Sequence, residues 1–439
     1  MAEVTVGIDI GTTSVKAVAA DGDGNVVART RVPHRLGVPA ADRLEHDAAE
    51  AWRAGVRRAL ADVAGDHTVR GINVAAMVPS MCAVDEAGEP LTPGLLYGDA
   101  RGRTDKVFEG PGNAGELYGF LRWCAAEAPQ AHGYWPAQAV ANHALCGEGA
   151  LDVITAMSGM PMFDGVQWDP EMVAEAGADP TRLPRVVGDR EAVGTVNGVP
   201  LGGGAIDAYA EQLVAGADGD GDVLVILGAT LIAWAVIPDW VEVPGLWTIP
   251  HTAPGKILIG GASNAGGLFM DWALRLSGQR AEDGAPVPQP GAVPVFLPYV
   301  RGERVPLHDT ERRASLHGLD LTHGPGAVRR AAQEAGGFVV RRMLDLAGLS
   351  PNRIVATGGG TRATGWVQAI ADATGLPVDV VAVPEGGALG SAFIARVVAG
   401  LEENAVDAAR WAATSHRVEP DPAWSSAVSD RYEVFRSFS

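Results

Sequence analysis

Two stretches in opposite halves of the chain read alike: GIDIGTTSVKAVAA at residues 7–20 and LVILGATLIAWAVI at residues 224–237. Each is an apolar strand, a turn of small residues with threonine, and a second apolar strand. A chain that repeats this unit is constrained to begin two sheets in the same way, and 439 residues is length enough for two separate cores. Strand, turn and strand with Gly and Thr is also a common arrangement, so coincidence stays open on this pair alone.

Around the first copy, VTVGIDI, VKAVAAD and VVARTRV predict three antiparallel strands, with DGDGN at 21–25 as a turn. Residues 46–64 have helical periodicity, and VRGINVAAM after them reads as a strand. In the second half the spacing predicts a helix over about 205–216, the turn GADGDGD, and the two strands of the repeat. A long helix follows at 327–348, then strand, glycine turn, helix and strand over 353–381. EGGALGSAFIARVVAG, 385–400, is a helix of small residues suited to lie close against backbone or ligand. The last forty or so residues read as a helix and a surface tail.

The net charge of −19, without a basic run, argues against a nucleic-acid partner. No stretch is apolar and long enough to span a bilayer, so no membrane partner is expected. Glu3 and Asp9 in a start without a basic region are not expected of a signal peptide. Cys82, Cys124 and Cys146 fit neither a zinc spacing nor a disulfide framework, which points to a reducing, cytoplasmic setting. The histidines are scattered, with no spacing for a transition metal.

The turn Gly11-Thr12-Thr13 offers successive N–H groups and two hydroxyls to one point, which suits a phosphate. A plain hairpin would look the same. Asp9 beside it would repel phosphate unless a cation intervened, so it implies Mg²⁺ held through waters. Lys16 faces either the phosphate or solvent. Gly228-Ala229-Thr230 is the counterpart turn, and neither is a Walker loop. Gly358-Gly359-Gly360 would let backbone approach a ring or phosphate, or simply make a tight connection. Asp218 to Asp222 lacks the glycine and glutamate of a calcium loop and reads as a solvated turn. In GGGAIDAYAEQ, 202–212, Asp207 stands between a glycine run and a helix, where a helix cap is the plain reading.

Taken in order, these motifs resemble the FGGY family of carbohydrate kinases, in the actin, Hsp70 and sugar kinase superfamily. The resemblance runs over nearly the whole chain, through VGIDIGTTSVKAV, DEAGEPLTPGLLYGDAR, GGGAIDAYAEQLVAG and VLVILGAT. Most specific are FLPYVRGERVPLHDTERRASLHGLDLTHGP and VATGGGTRATGWVQAIADATGLPVDV. It implies an α/β fold of two ribonuclease-H-like, actin-like ATPase domains with a central cleft, an N-terminal sugar and phosphate domain at 1–213 and a C-terminal nucleotide domain at 214–439. The implied reaction passes the γ-phosphate of ATP to a sugar hydroxyl, with Asp207 as general base and Mg²⁺ at Asp9. Gly11, Thr12, Thr13, Lys16, Gly228, Ala229, Thr230, Gly267, Gly359, Gly360 and Thr364 are the implied nucleotide and phosphate contacts. Val78, Pro79, Tyr97, Asp99 and Arg101 are the implied sugar contacts, and the implied partners are sugar and ATP, with room for a homodimer.

Departures bear on the sugar. Met77-Val78-Pro79-Ser80 replaces the Gln-Met-His-Gly usual in xylulose kinases of the family, and Ala208 stands where an asparagine follows the base. An Arg-Glu pair usual in glycerol kinases is absent too. The lysine of the family's lid-side motif is not evident around GFLRWCAAEAP, where Trp123 and Pro129 keep the spacing, and residues 103–150 read as shortened. The family's habits make a pentulose such as D-xylulose the expected acceptor. Rival readings are a kinase for another ketose, a polyol or glycerol, and a catalytically silent sugar- or nucleotide-binding regulator. The joint presence of Asp9, Thr12, Thr13 and Asp207 disfavours the regulator. The FGGY-like block at 296–326 disfavours a chaperone or filament ATPase.

Overall fold

Burial on both faces explains the first strand. Glu3–Ile10 (β1) is buried from Val4 onward, as a central strand of a covered sheet must be. Ser14–Ala20 (β2) pairs antiparallel with it and sets Lys16 opposite Asp9. Val26–Pro33 (β3) exposes alternate residues along the edge. In this computed structural model, which describes residues 2–106, 108, 115–278 and 288–438, the chain forms two compact units: Met1–Val214 with Glu385–Trp411, and Ala215–Pro384 with Ala412–Ser439.

In the first unit the helix expected over 46–64 starts later. Glu45–His46 is a short strand, Ala49–Ala54 is wound as a π-helix, and Gly55–Ala64 (α1) continues as α-helix. The wider turn sets both Trp52 and Arg53 inward. Thr68–Ala76 (β4) runs parallel to β1, Ser80–Val84 forms β5, and Ala137–Cys146 forms α2. Ala192–Val196 (β6), Val199–Gly202 (β7) and Ala205–Ile206 (β8) follow, and the seven-stranded sheet has the order β6-β7-β4-β1-β2-β3, with β8 also paired to β4. The helix expected from about 205 therefore begins at Asp207, as Asp207–Leu213 (α3), because Ala205 and Ile206 pair in parallel with Ala75 and Ala76.

The second unit starts its sheet in the same way. Asp222–Leu227 (β9) pairs antiparallel with Leu231–Ile237 (β10), Trp247–Pro250 is β11, and Ile257–Ser263 is β12. Helix Gly267–Leu276 (α4) comes next, and then Pro325–Ala347 (α5), Arg353–Thr357 (β13), Thr364–Thr374 (α6) and Val378–Val381 (β14). β13 is parallel to β9 as β4 is to β1. The repeat in sequence is thus a repeat in topology: β12-β10-β9-β13 has the pairing of β3-β2-β1-β4.

Gly386–Val398 (α7) returns to the first unit. A single boundary at 213/214 does not hold for this segment, and its small residues give the reason. A Cβ on Gly7 of β1 would lie 1.9 Å from the Ala388 carbonyl, and one on Gly390 would lie 1.8 Å from that of Ala210. At these positions the helix lies against backbone. Thr414–Val418 (β15) and Ser425–Phe438 (α8) complete the second unit. The helix expected near the end is α8, and it belongs to the core: Val428, Tyr432 and Phe435 are buried, and Arg431 pairs with the fully buried Glu334 at 2.7 Å, while β15 before it is largely exposed. Among the described residues no helix is long and apolar enough to cross a membrane.

Candidate active site

In the first unit Asp9 and Lys16 leave the turn on facing strands, and Lys16 Nζ lies 3.1 Å from Asp9 Oδ2. Lys16 thus faces a carboxylate, and Asp9, then Glu211 and Asp207, hold its pKa up against burial. The other oxygen of Asp9 is buried and accepts no hydrogen bond. The first turn of α7 closes on this carboxylate, since a Cβ on Gly387 would stand 3.1 Å from Asp9 Cγ. An orphaned carboxylate oxygen suits one bond to a hydrated cation. Among the described residues no three His, Cys, Asp or Glu side chains gather as a metal cage, so waters and phosphate would supply the remaining ligands.

Asp207 opens α3 as its first residue and accepts from the Ala208 N–H at 2.7 Å. It is not the cap; Ile206 is. Burial, and after it the charge of Asp9, raise its pKa to about 6. Gln138 on α2 fixes the approach to it, donating from Nε2 to the carbonyls of Ala76 and Ala205 at 3.1 Å each. Val78 and Pro79 follow the end of β4 just beyond Ala76, with Val78 half-buried and Pro79 buried.

All three carbonyls of Gly11-Thr12-Thr13 accept bonds. Gly11 O faces His34 Nε2 at 3.1 Å, Thr12 O faces His46 Nε2 at 2.8 Å, and Thr13 O takes the His34 backbone N–H at 3.1 Å. In trans peptides the N–H opposes the C=O, so the Thr12 and Thr13 N–H groups face away from the histidines. Thr12 Oγ1 is 2.9 Å from the Tyr97 hydroxyl.

Asp99 and Arg101 are brought to the same neighbourhood but spend their polar atoms there. Asp99 accepts from Leu44 N, Arg101 N, Arg101 Nε and Arg101 Nη2 at 2.6–2.8 Å, and its side chain is 0% exposed. A carboxylate with its lone pairs so filled has none left for a sugar. Arg101 also bonds Glu45 at 2.7 Å and lies over Trp123. The expected sugar contact at Asp99 is therefore corrected to a brace for residues 44–46, the strand that carries His46.

In the second unit the glycine turns meet at the carboxyl ends of parallel β9 and β13, where Ile226 registers with Thr357. Gly267 N donates to Gly228 O at 2.8 Å and Leu268 N to Ala229 O at 3.1 Å. Gly358 has φ +89°, and a Cβ on Gly360 would stand 2.7 Å from Leu227 Cβ. Gly228, Ala229, Thr230, Gly267, Gly359 and Gly360 are thus gathered by neighbouring elements, with Thr364 exposed at the start of α6. Carboxyl ends of strands where the sheet changes sense are ready places for a nucleotide.

The N-terminal domain model of the FGGY family of carbohydrate kinases matches residues 4–110, and its C-terminal domain model matches residues 223–399. The chain belongs to this family. The xylulose kinase of Escherichia coli is 25% identical, over 98% of this chain and 97% of that protein. The gluconokinase of Bacillus subtilis is 26% identical, over 91% and 88%. Among solved structures, xylulose kinase from Rhodospirillum rubrum is 27% identical with a TM-score of 0.74, over 99% of this chain and 98% of that one.

The protein is a carbohydrate kinase, and the family implies ATP as the phosphoryl donor. Two features of this FGGY kinase escape a reading of its sequence. His34 and His46 lie where no metal or nucleophile spacing marks them; only the helix-like run beside His46 hints at Trp52. Glu303, inside the family-like block, is buried and accepts from Ser263 Oγ at 2.7 Å, Asn264 N at 3.0 Å and Arg304 N at 2.7 Å. Burial raises its pKa to about 7. It ties down the strand end that leads to Gly267, and hence to the second turn.

Proposed function

We propose that this kinase phosphorylates a ketose, a pentulose such as D-xylulose, using MgATP, with Asp207 as general base. The observation that carries the reading is the state of Asp207: a carboxyl at a helix start whose pKa is raised to about 6, within reach of the charges of Asp9 and Lys16, which flank a turn whose Thr12 and Thr13 N–H groups face away from the histidines. A base tuned toward neutral pH is better suited to take a proton from a hydroxyl as that oxygen attacks phosphorus. Thr12 and Thr13 would receive phosphate oxygens on their N–H groups, while the Gly11 N–H closes the turn on Ser14 O at 3.1 Å. Lys16 holds Asp9 in place and adds a positive charge. Mg²⁺, when bound at Asp9, would offset the charge gathering on the transferred group. In the second unit Gly228, Ala229, Thr230, Gly267, Gly359, Gly360 and Thr364 would hold the nucleotide, with glycine allowing close backbone approach.

The similarity to xylulose kinases supports the pentulose. Comparable similarity to a gluconokinase makes gluconate the competing acceptor. Work in the cytoplasm is part of the reading, since free Cys82, Cys124 and Cys146 suit a reducing compartment. ADP release across pentuloses, hexuloses, gluconate and polyols tests it: D-xylulose should give the largest kcat/KM, and Asp207→Asn should lower kcat with it by about two to four decades while ADP still binds. Near-normal turnover in that variant would remove Asp207 from the mechanism, and preference for gluconate would replace the substrate.

A further inference from the structure

From the geometry around the first turn we infer that His46, keyed by Trp52, is a positioning residue that turns the phosphate-binding N–H of Thr13 outward. This deepens the proposed function, because it rests on the reading of residues 11–13 as a phosphate turn. An indole N–H can only donate. Trp52 Nε1 lies 3.0 Å from His46 Nδ1, so Nδ1 must accept and the ring proton must sit on Nε2. A carbonyl can only accept, so Nε2–H donates to Thr12 O at 2.8 Å. The two contacts agree on one tautomer, and any other arrangement would leave one of them facing a like group.

The surroundings keep that tautomer neutral and still. His46 is 0% exposed, as is Trp52. Burial, then the neighbouring His34 ring at 4.5 Å, holds the pKa of His46 down to about 4. The π-wound segment Ala49–Ala54 aims Trp52 at the ring, and π turns recur where a helix must present a residue in a special direction. From the other side Glu45, the residue before His46, is held by Arg101, and Leu44 is held by Asp99. The C=O of Thr12 and the N–H of Thr13 belong to one planar peptide, so pinning the first aims the second. A turn already oriented need not be ordered by the ligand, which is where the affinity is gained.

The test begins on the unaltered protein. With histidine labelled in ¹⁵N, His46 should show the Nε2–H tautomer between pH 6 and 8; an Nδ1–H or charged ring would overturn the inference directly. Calorimetry with Mg²⁺ and the ATP analogue AMP-PNP then needs no knowledge of the sugar. Gly11→Asp puts a negative charge on the turn and should weaken binding at least about 100-fold. His46→Phe should weaken it about tenfold, the size expected when a buried carbonyl loses its donor. His46→Gln, whose amide can still donate to Thr12 O, should return to within about threefold of the wild type. If Gly11→Asp weakens binding and His46→Phe does not, or if Gln is as poor as Phe, His46 is only a packing residue and the inference falls. If Gly11→Asp binds like the wild type, the phosphate-turn reading falls instead. Should His46→Phe fail to fold, Trp52→Phe replaces it: release of the tautomer with weakened AMP-PNP binding supports the key, and an unchanged tautomer overturns it.

Discussion

The two glycine turns sit at the same place in two copies of one topology, yet they are held and charged differently. In the first, side chains hold two of the three carbonyls, His34 and His46 donating to Gly11 O and Thr12 O, and backbone holds only Thr13 O. In the second, backbone does it, Gly267 N and Leu268 N donating to Gly228 O and Ala229 O. The residue two before the glycine is Asp9 in one copy and Ile226 in the other. Strand pairing is common to both, so the pairing fixes the turn and leaves its chemistry free to diverge. In the proposed function one turn would bring a cation to phosphate, and the other would approach the nucleotide through backbone alone.

The largest effect should come from erasing the charge difference. Asp9→Ala removes the carboxylate that the second turn lacks and leaves the Lys16 ammonium without its partner at 3.1 Å, and turnover should fall on the order of 10²–10³-fold, with the Mg²⁺ requirement raised. A Mg²⁺ titration of initial rates checks this, and an unchanged curve would mean that Asp9 does not serve the metal.

Next in size is the backbone pin. A Cβ on Gly266 would come 2.1 Å from the Thr230 carbonyl carbon, so Gly266→Val must push α4 off the second turn. A loss of about 3 kcal/mol or more in unfolding by urea is expected, of the order of other overpacked sites. A stable Gly266→Val protein with unaltered AMP-PNP affinity would show that the α4 contact is not what shapes that turn.

The smallest effect is on stability against pH, in protein free of Mg²⁺ and nucleotide. Asp207 rises from an ordinary 3.8 to about 6, and Glu303 from 4.5 to about 7. For each, the folded state keeps a proton that the unfolded chain has released. Its contribution is therefore full below the unfolded pKa and is lost as pH rises through the folded value. Asp207→Asn should be more stable than the wild type at pH 7.5 by on the order of 2 kcal/mol and equal to it near pH 3.5. Glu303→Gln should show the same difference with its midpoint about one pH unit higher, separating the two turns' neighbourhoods. Thermal melts across pH check both, and parallel curves for wild type and variant would refute the shift.

Much of this was legible in residue order. The apolar runs that make β1, β2, β9 and β10, and the glycines that end them, carry their own periodicity and turn chemistry. Asp207 was legible as a carboxylate after glycines, although its place at the first turn of α3 depends on Ala205 and Ile206 joining β4, a long-range pairing that local helix propensity does not report. His46 was not legible. Its role comes from Trp52 six residues on and Thr12 thirty-four residues back, and no spacing marks a ring that holds a carbonyl. Asp99 differs: the motif is where it should be, but three bonds to its oxygens come from Arg101, two residues on, and only the fourth, from Leu44 N, needs a distant segment.

The return of Glu385–Trp411 to the first unit has a consequence for how the protein is made. The ribosome delivers β1, β4 and α3 early, yet the helix that covers Gly7 and Ala210 comes only after residues 215–384 have been synthesised. At 5–20 residues per second that is a delay of roughly ten to thirty seconds. Through that interval the nascent N-terminal sheet has an uncovered backbone face, one that the helix meets with glycine and alanine at its closest points. A chain stopped before residue 386 would carry every residue of the first turn and still lack the piece that closes around Asp9.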